Sequence, residues 1–270
     1  MKKPLLLGLL LCLCMPARAA ELWQELRFVD IPAGSFSMGS EQGRYKDERP
    51  VHRLSIGAFL MMDHELSVGE AKRLLKQYPN LIKRALTSPT RDDPRKRVGN
   101  EDDLPVLLTY AEAEALASKL SEAGGKRVRL PTEPEWEYAA RGGLDRKLYP
   151  WGNPDETFRG KKVRDLVRAV RGGDDCDPFS SVPVGPVRTM TPSNGYGLFD
   201  TAGNAWEWTS SIYQRYPYAS QSGGRLQRKQ DDLIVIRGGG QAPEACDVRV
   251  ALRGYAQPDS MYGVRFVAEK

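Results

Sequence analysis

Histidine is almost missing from this chain of 270 residues: His52 and His64 are the two it has. A metal centre built on a cluster of imidazoles, such as a mononuclear iron site, is therefore excluded. Cysteine is scarce as well. Of four, Cys12 and Cys14 lie near the N-terminus, which leaves Cys176 and Cys246. In an oxidising compartment those two could bridge, contributing about 4 kcal/mol on the chain-entropy argument; a free, buried cysteine is the alternative. No Gly-x-Ser-x-Gly turn is present, so an α/β-hydrolase nucleophile elbow is excluded. Gly238-Gly239-Gly240 lacks the following Lys and Ser/Thr of a phosphate loop, and its glycines suit close backbone packing instead. Apolar runs are short. The one from Leu5 to Cys14 is too short to cross a bilayer as a helix, and no second one follows.

That run has a basic start at Lys2 and Lys3 and ends on Ala17-Arg18-Ala19, so residues 1–19 read as a cleaved export signal. Cys12 and Cys14 would leave with it, and the remaining chain, 20–270, is expected in the periplasm as one domain. Formal charge is +5, with 40 basic and 35 acidic side chains. Removing Lys2, Lys3 and Arg18 leaves 37 against 35. A charge so near balance gives a nucleic-acid partner no support.

Helix starts are well signposted. Ser67-x-x-Glu70, Thr109-x-x-Glu112 and Thr132-x-x-Glu135 are capping boxes, in which each side chain satisfies an orphan backbone donor. The first helix stops before Pro79, the second at Gly124-Gly125 and the third at Gly142-Gly143. Residues 25 to 38 read as strand, turn, strand, and Arg53 to Phe59 as a further strand. Thr87 to Asp103 is charged and Pro-rich, hence loop, and Leu144 to Pro192 reads as irregular chain. Three helices with short strands and much loop indicate an α+β domain.

The stretch from Asn194 to Thr209 is the most distinctive. Asn194-Gly195 and Gly197-Leu198 mark a turn; then Asp200 and Glu207 bracket Gly203, Asn204 and Ala205, with Trp206 and Trp208 alongside. Two carboxylates crowded against backbone carbonyls make a hard-oxygen cation site plausible. A turn with two tryptophans as core anchors is the other reading.

Asn194-Gly-Tyr-Gly-Leu198 followed by Gly203-Asn-Ala-Trp-Glu-Trp-Thr-Ser210 resembles the signature of the formylglycine-generating enzyme (sulfatase-modifying factor) family. Ile31-Pro-Ala-Gly34, Arg129-Leu-Pro-Thr-Glu133, Glu135-Trp136, Arg141-Gly-Gly143, Tyr149-Pro-Trp-Gly-Asn153, Arg237-Gly-Gly239 and Gly263-Val-Arg-Phe266 follow the family's order. The resemblance implies a loop-rich fold related to C-type lectins, with short antiparallel strands. It implies calcium at Asp200 and Glu207 by side chain and at Gly203 and Ala205 by carbonyl. A second calcium would rest on Asp177 and the Phe179 carbonyl, although the family's upstream Asn has no counterpart here.

At the catalytic centre the chain departs from its family. Members that oxidise cysteine hold Cu(I) between two thiolates just after Arg-Gly-Gly-Ser, since soft Cu(I) takes soft sulfur. Here Gly240 stands at the serine and Pro243 at or near the first cysteine, leaving Cys246 without a partner in sequence. The resemblance then implies a non-catalytic, calcium-stabilised regulatory protein. It is similar to exported members that act in the threonine-phosphorylation pathway switching on type VI secretion, with the outer part of a membrane Ser/Thr kinase as partner. A groove lined by Trp206, Arg237, Arg249, Arg253 and Arg265 would be the docking surface, unless those arginines form structural ion pairs. The alternative is an oxidase or maturation enzyme, of the formylglycine or siderophore-maturation type, working through Cys246.

Overall fold

A computed structural model describes residues 25–88, 99–171, 184–218, 229, 231–240 and 247–270. The signal segment, Cys176, Asp177, Phe179 and Cys246 lie outside the described residues.

All three capping boxes form. Ser67 starts α1 (Val68–Gln77), Thr109 starts α2 (Tyr110–Gly124), and Thr132 starts α3 (Glu133–Ala140), each hydroxyl accepting the backbone N–H three residues on. Gly125 ends α2 in the left-handed conformation, as an unhindered residue can. The strand readings hold with one refinement. Beside β1 (Phe28–Ile31) and β2 (Gly34–Met38), the segment read as a single strand is two, β3 (His52–Ile56) and β4 (Phe59–Met62), parted by Gly57-Ala58.

The stretch read as irregular contains a fourth helix, α4 (Val163–Arg171). Its buried residues Val163, Leu166, Val167 and Val170 recur at helical spacing, with Arg and Asp between them. The many Gly, Asp and Pro residues around it hide that period.

Among the described residues every pairing between two strands is antiparallel, while Glu207 also makes a parallel bridge to Gly263. β1, β4, β11 (Val267–Ala268) and β5 (Val128–Arg129) form one sheet, in that order. β10 (Gly254–Ala256), β9 (Ile234–Arg237) and β8 (Glu207–Ile212) form the second. β2 pairs β3 and, nearer the middle of the chain, β6 (Thr157–Phe158) pairs β7 (Lys161–Lys162).

The Trp206–Trp208 pair anchors this packing. Trp208 is wholly buried, gives its indole N–H to the Leu108 carbonyl at 2.8 Å, and meets Tyr110 and Tyr262 edge-on. Among the described residues no helix is long and apolar enough to cross a membrane.

Candidate functional site

Helix α3 carries the charged framework. Glu133, Glu137 and Arg141 follow at four-residue spacing, so they share one stripe, and all are buried. Arg253 grips Glu133 with Nε and Nη2 at 2.6 and 2.9 Å. Burial pushes the Glu133 carboxyl up, but Arg253 and Arg237 outweigh it and hold the group below its ordinary value. Arg237 pairs with Glu137 and donates to the carbonyls of Val250, Ala251 and Leu252.

These pairs correct the expected docking surface. Arg237 and Arg265 are wholly buried, so neither lines a groove. Arg249 is committed to Glu48, at 2.7 and 2.8 Å, and to Asp247. Their bidentate geometry matches planar guanidinium to carboxylate, and one partner left alone would be a buried bare charge. Of the five residues, Trp206 and Arg253 do border a groove.

The signature loop is built around α3. Asn194 gives its amide N–H groups to the Ala139 and Ala140 carbonyls at 2.8 and 3.0 Å, satisfying the helix C-terminus, while its oxygen accepts from Tyr196 and Leu198. Gly195 follows because a Cβ there would lie 2.2 Å from the Gly142 carbonyl. Asp200 takes a positive φ of 55° and accepts N–H from Arg188 at 2.6 Å and from Thr191 at 3.0 Å. Glu207 receives Nη2 of Arg265 at 2.8 Å and the Trp136 indole at 2.7 Å.

Glu65, which no sequence motif marks, completes this cluster. It is wholly buried, neither oxygen has a hydrogen-bond partner among the described residues, and the nearest guanidinium, Arg265, stands 3.8 Å away. Burial, then the charge of Asp200, push its carboxyl well up. Asp200 itself is pushed up to about 6 by burial, against the pull of Arg265. Three carboxyl groups therefore face one guanidinium, and two of them, Glu65 and Asp200, hold their protons more tightly than an ordinary acid.

That donor set suits calcium in kind, all hard oxygen with an orphaned carboxylate beside it. An ion there would compete with the present donors: both Glu207 oxygens and Asp200 Oδ1 each accept two hydrogen bonds, which leaves Asp200 Oδ2 and the unpartnered Glu65 carboxyl as the open positions. The Gly203 and Ala205 carbonyls would have to supply much of the shell, because no three acidic, histidine or cysteine side chains among the described residues are grouped to hold a metal by themselves.

A groove of about 1050 Å³ opens beside Trp206. Trp206, Tyr216, Ile236, Leu252 and Arg253 form its buried floor, Tyr45, Tyr213 and Tyr262 its half-buried walls, and Lys46, Arg49, Arg215 and Tyr255 its exposed rim. Apart from Trp206 and Arg253, sequence reasoning missed these residues, because four separated segments supply them. At the back of Trp206 lies Gly240, the position of the family's serine. A Cβ at Gly240 would sit 2.9 Å from the Trp206 nitrogen and 3.1 Å from the Ala205 Cα, so a side chain fits only if backbone moves.

The family model for the sulfatase-modifying factor enzyme 1-like domain matches residues 16–270. A formylglycine-generating enzyme of Bos taurus is 31% identical over 234 residues, covering 73% of this chain and 60% of the relative. A serine/threonine-protein kinase, pkn1 of Chlamydia caviae, is 29% identical over 260 residues, covering 90% of this chain and 38% of the kinase. The chain thus spans less than two thirds of either relative's length. Among solved structures, PvdO from Pseudomonas aeruginosa superposes with a TM-score of 0.69 at 27% identity, covering 90% of this chain and 94% of that one.

Proposed function

The chain belongs to the sulfatase-modifying factor family, and from that premise we propose that it is a non-catalytic, calcium-stabilised recognition protein of the periplasm. The observation that carries this reading is Gly240 pressed against Trp206. Where cysteine-oxidising relatives place a serine ahead of two thiols, this chain has a glycine without room for a side chain, then Pro243. The fold is kept, and Cys246 has no second cysteine beside it in sequence with which to hold copper.

The partner we propose is the outer part of a membrane Ser/Thr kinase, in a pathway that activates type VI secretion. In support, a chain named as a Ser/Thr kinase matches this one over 38% of its length. The partner would dock in the Trp206 groove, whose aromatic floor and walls suit a protein surface. Calcium would tie the Asp200–Glu207 loop together and neutralise the buried carboxyl groups. Metal analysis of the purified mature protein tests both halves: calcium without copper or iron is expected, whereas stoichiometric copper would reverse the assignment. A second reading, a maturation enzyme acting through Cys246, draws on the likeness to PvdO.

A further inference from the structure

Among the described residues, β10 brings an open sheet edge to the groove. β10 is the outer strand of its sheet: β9 covers one side, and no backbone hydrogen bond reaches the other among the described residues. Gly254 and Tyr255 of β10 line the groove. Tyr255 is 52% exposed, the most exposed large apolar side chain among the described residues, and its ring lies 4.3 Å from that of Tyr213. An unpaired edge beside exposed aromatics is the arrangement that accepts an added strand, with main-chain hydrogen bonds giving affinity and alternate side chains giving specificity.

The rim sets the sign of the incoming charge. Lys46, Arg49 and Arg215 are exposed, and none of the three meets a carboxylate among the described residues; Arg49 donates to the Gly43 carbonyl at 2.7 Å. Asp47, the one acid in the lining, already accepts the Tyr213 hydroxyl at 3.1 Å. Arg253 on the floor is neutralised by Glu133. Among the described residues the groove therefore offers an aromatic surface whose lining carries four basic side chains against one acid. Single-stranded nucleic acid would also find stacking and cations there, but it has no N–H and C=O ladder to match a strand edge.

We propose that the β10 edge receives an extended peptide segment of the partner that alternates acidic with apolar residues, added as a fourth strand. This rests on the partner-recognition reading above and specifies its chemistry.

The test is fluorescence anisotropy on the whole mature chain, with a dye-labelled Glu–Val alternating peptide of about six residues, the usual strand length. Its comparators are a Lys–Val peptide, an oligothymidine, and two Glu–Val peptides N-methylated at alternate residues in opposite phases. In an antiparallel pair alternate residues point their N–H groups at the same neighbour, so one phase of methylation should abolish binding and the other spare it. The Glu–Val peptide should bind at least about ten-fold more tightly than Lys–Val, a difference of about 1.4 kcal/mol. Lys46→Gln with Arg215→Gln should weaken it by a similar factor at unchanged melting temperature. No binding by Glu–Val, indifference to both methylation phases, equal binding to the Gln variant, or tighter binding of oligothymidine would each overturn the proposal. If Tyr213→Ala with Tyr255→Ala still abolishes biological output while Glu–Val fails to bind, the peptide chemistry is wrong and partner recognition in the groove stands.

Discussion

Arg265 and Glu207 meet as a fully buried ion pair, 58 residues apart in sequence, with Nη2 to Oε1 at 2.8 Å and Nε 3.1 Å from both carboxylate oxygens. Arg265 also donates to the Phe199 carbonyl, so one guanidinium locks the signature loop to the strand that follows it.

Arg265→Met should therefore cost about 3–5 kcal/mol, since it leaves Glu207, Glu65 and Asp200 buried without a cation. Urea unfolding measures it. A loss below about 1 kcal/mol, the range of exposed pairs, would contradict the buried-pair account.

Calcium should stabilise the same cluster. A ligand that binds only the native state adds RT ln(1 + [L]/Kd), about 2.7 kcal/mol at a hundred times Kd. Chelator should lower the melting temperature, and Asp200→Asn should shrink the shift. Melting curves that ignore chelator in both proteins would remove calcium from the account.

His64 gives stability a pH dependence. Buried between Asp63 and Glu70, with Nε2 3.0 Å from Glu70, it would lose protons to burial, but the two carboxylates outweigh this and raise its pKa. A raised value means that the stabilisation is complete below the unfolded pKa of about 6.5 and is lost as pH rises through the folded one. Glu70 is also pushed up by burial, but His64 and Ser67 more than reverse this, so its contribution is lost as pH falls through its lowered pKa. Asp200, raised to about 6, has largely ionised before the His64 range is reached. His64 should thus make the urea midpoint fall from about pH 6.5 upward, on top of the fall that the raised carboxyls of Asp200 and Glu65 bring, and His64→Gln should flatten that slope. An equal slope in the variant would show that another group carries it.

Gly240→Ser reinstates the family's residue where there is no room for it. Overpacking of this kind costs about 1–3 kcal/mol, and Gly240→Ser with Pro243→Cys should gain no formylglycine-forming activity on a cysteine-containing peptide. Turnover by that double variant would show that the centre is merely two substitutions from working.

Much of the fold was legible because its signals are local. Ser67, Thr109 and Thr132 each act on a backbone group three residues away, so the sequence shows the whole interaction. The loop signature was legible too, and Asn194 and Gly195 turn out to serve the end of α3. What the sequence hid is tertiary. Arg237 and Arg265 look like surface residues, because their partners Glu137 and Glu207 lie 100 and 58 positions away. Glu65 is an ordinary acid until the fold buries it beside Asp200, Glu207 and Arg265. Tyr213 and Tyr255 become a pair through the packing of β8, β9 and β10.

The most direct test of the central claim compares two variants in a host strain whose own copy has been deleted, with type VI secretion, the output of the proposed pathway, as the readout and melting temperature as the control for folding. Cys246→Ala removes the one thiol on which a catalytic reading depends; Tyr213→Ala with Tyr255→Ala removes two aromatic side chains of the groove and leaves Cys246 in the sequence. Secretion that survives Cys246→Ala and is lost in the folded tyrosine variant is the predicted result. Secretion lost in a stably folded Cys246→Ala protein, and retained when the tyrosines are removed, would contradict a non-catalytic recognition role.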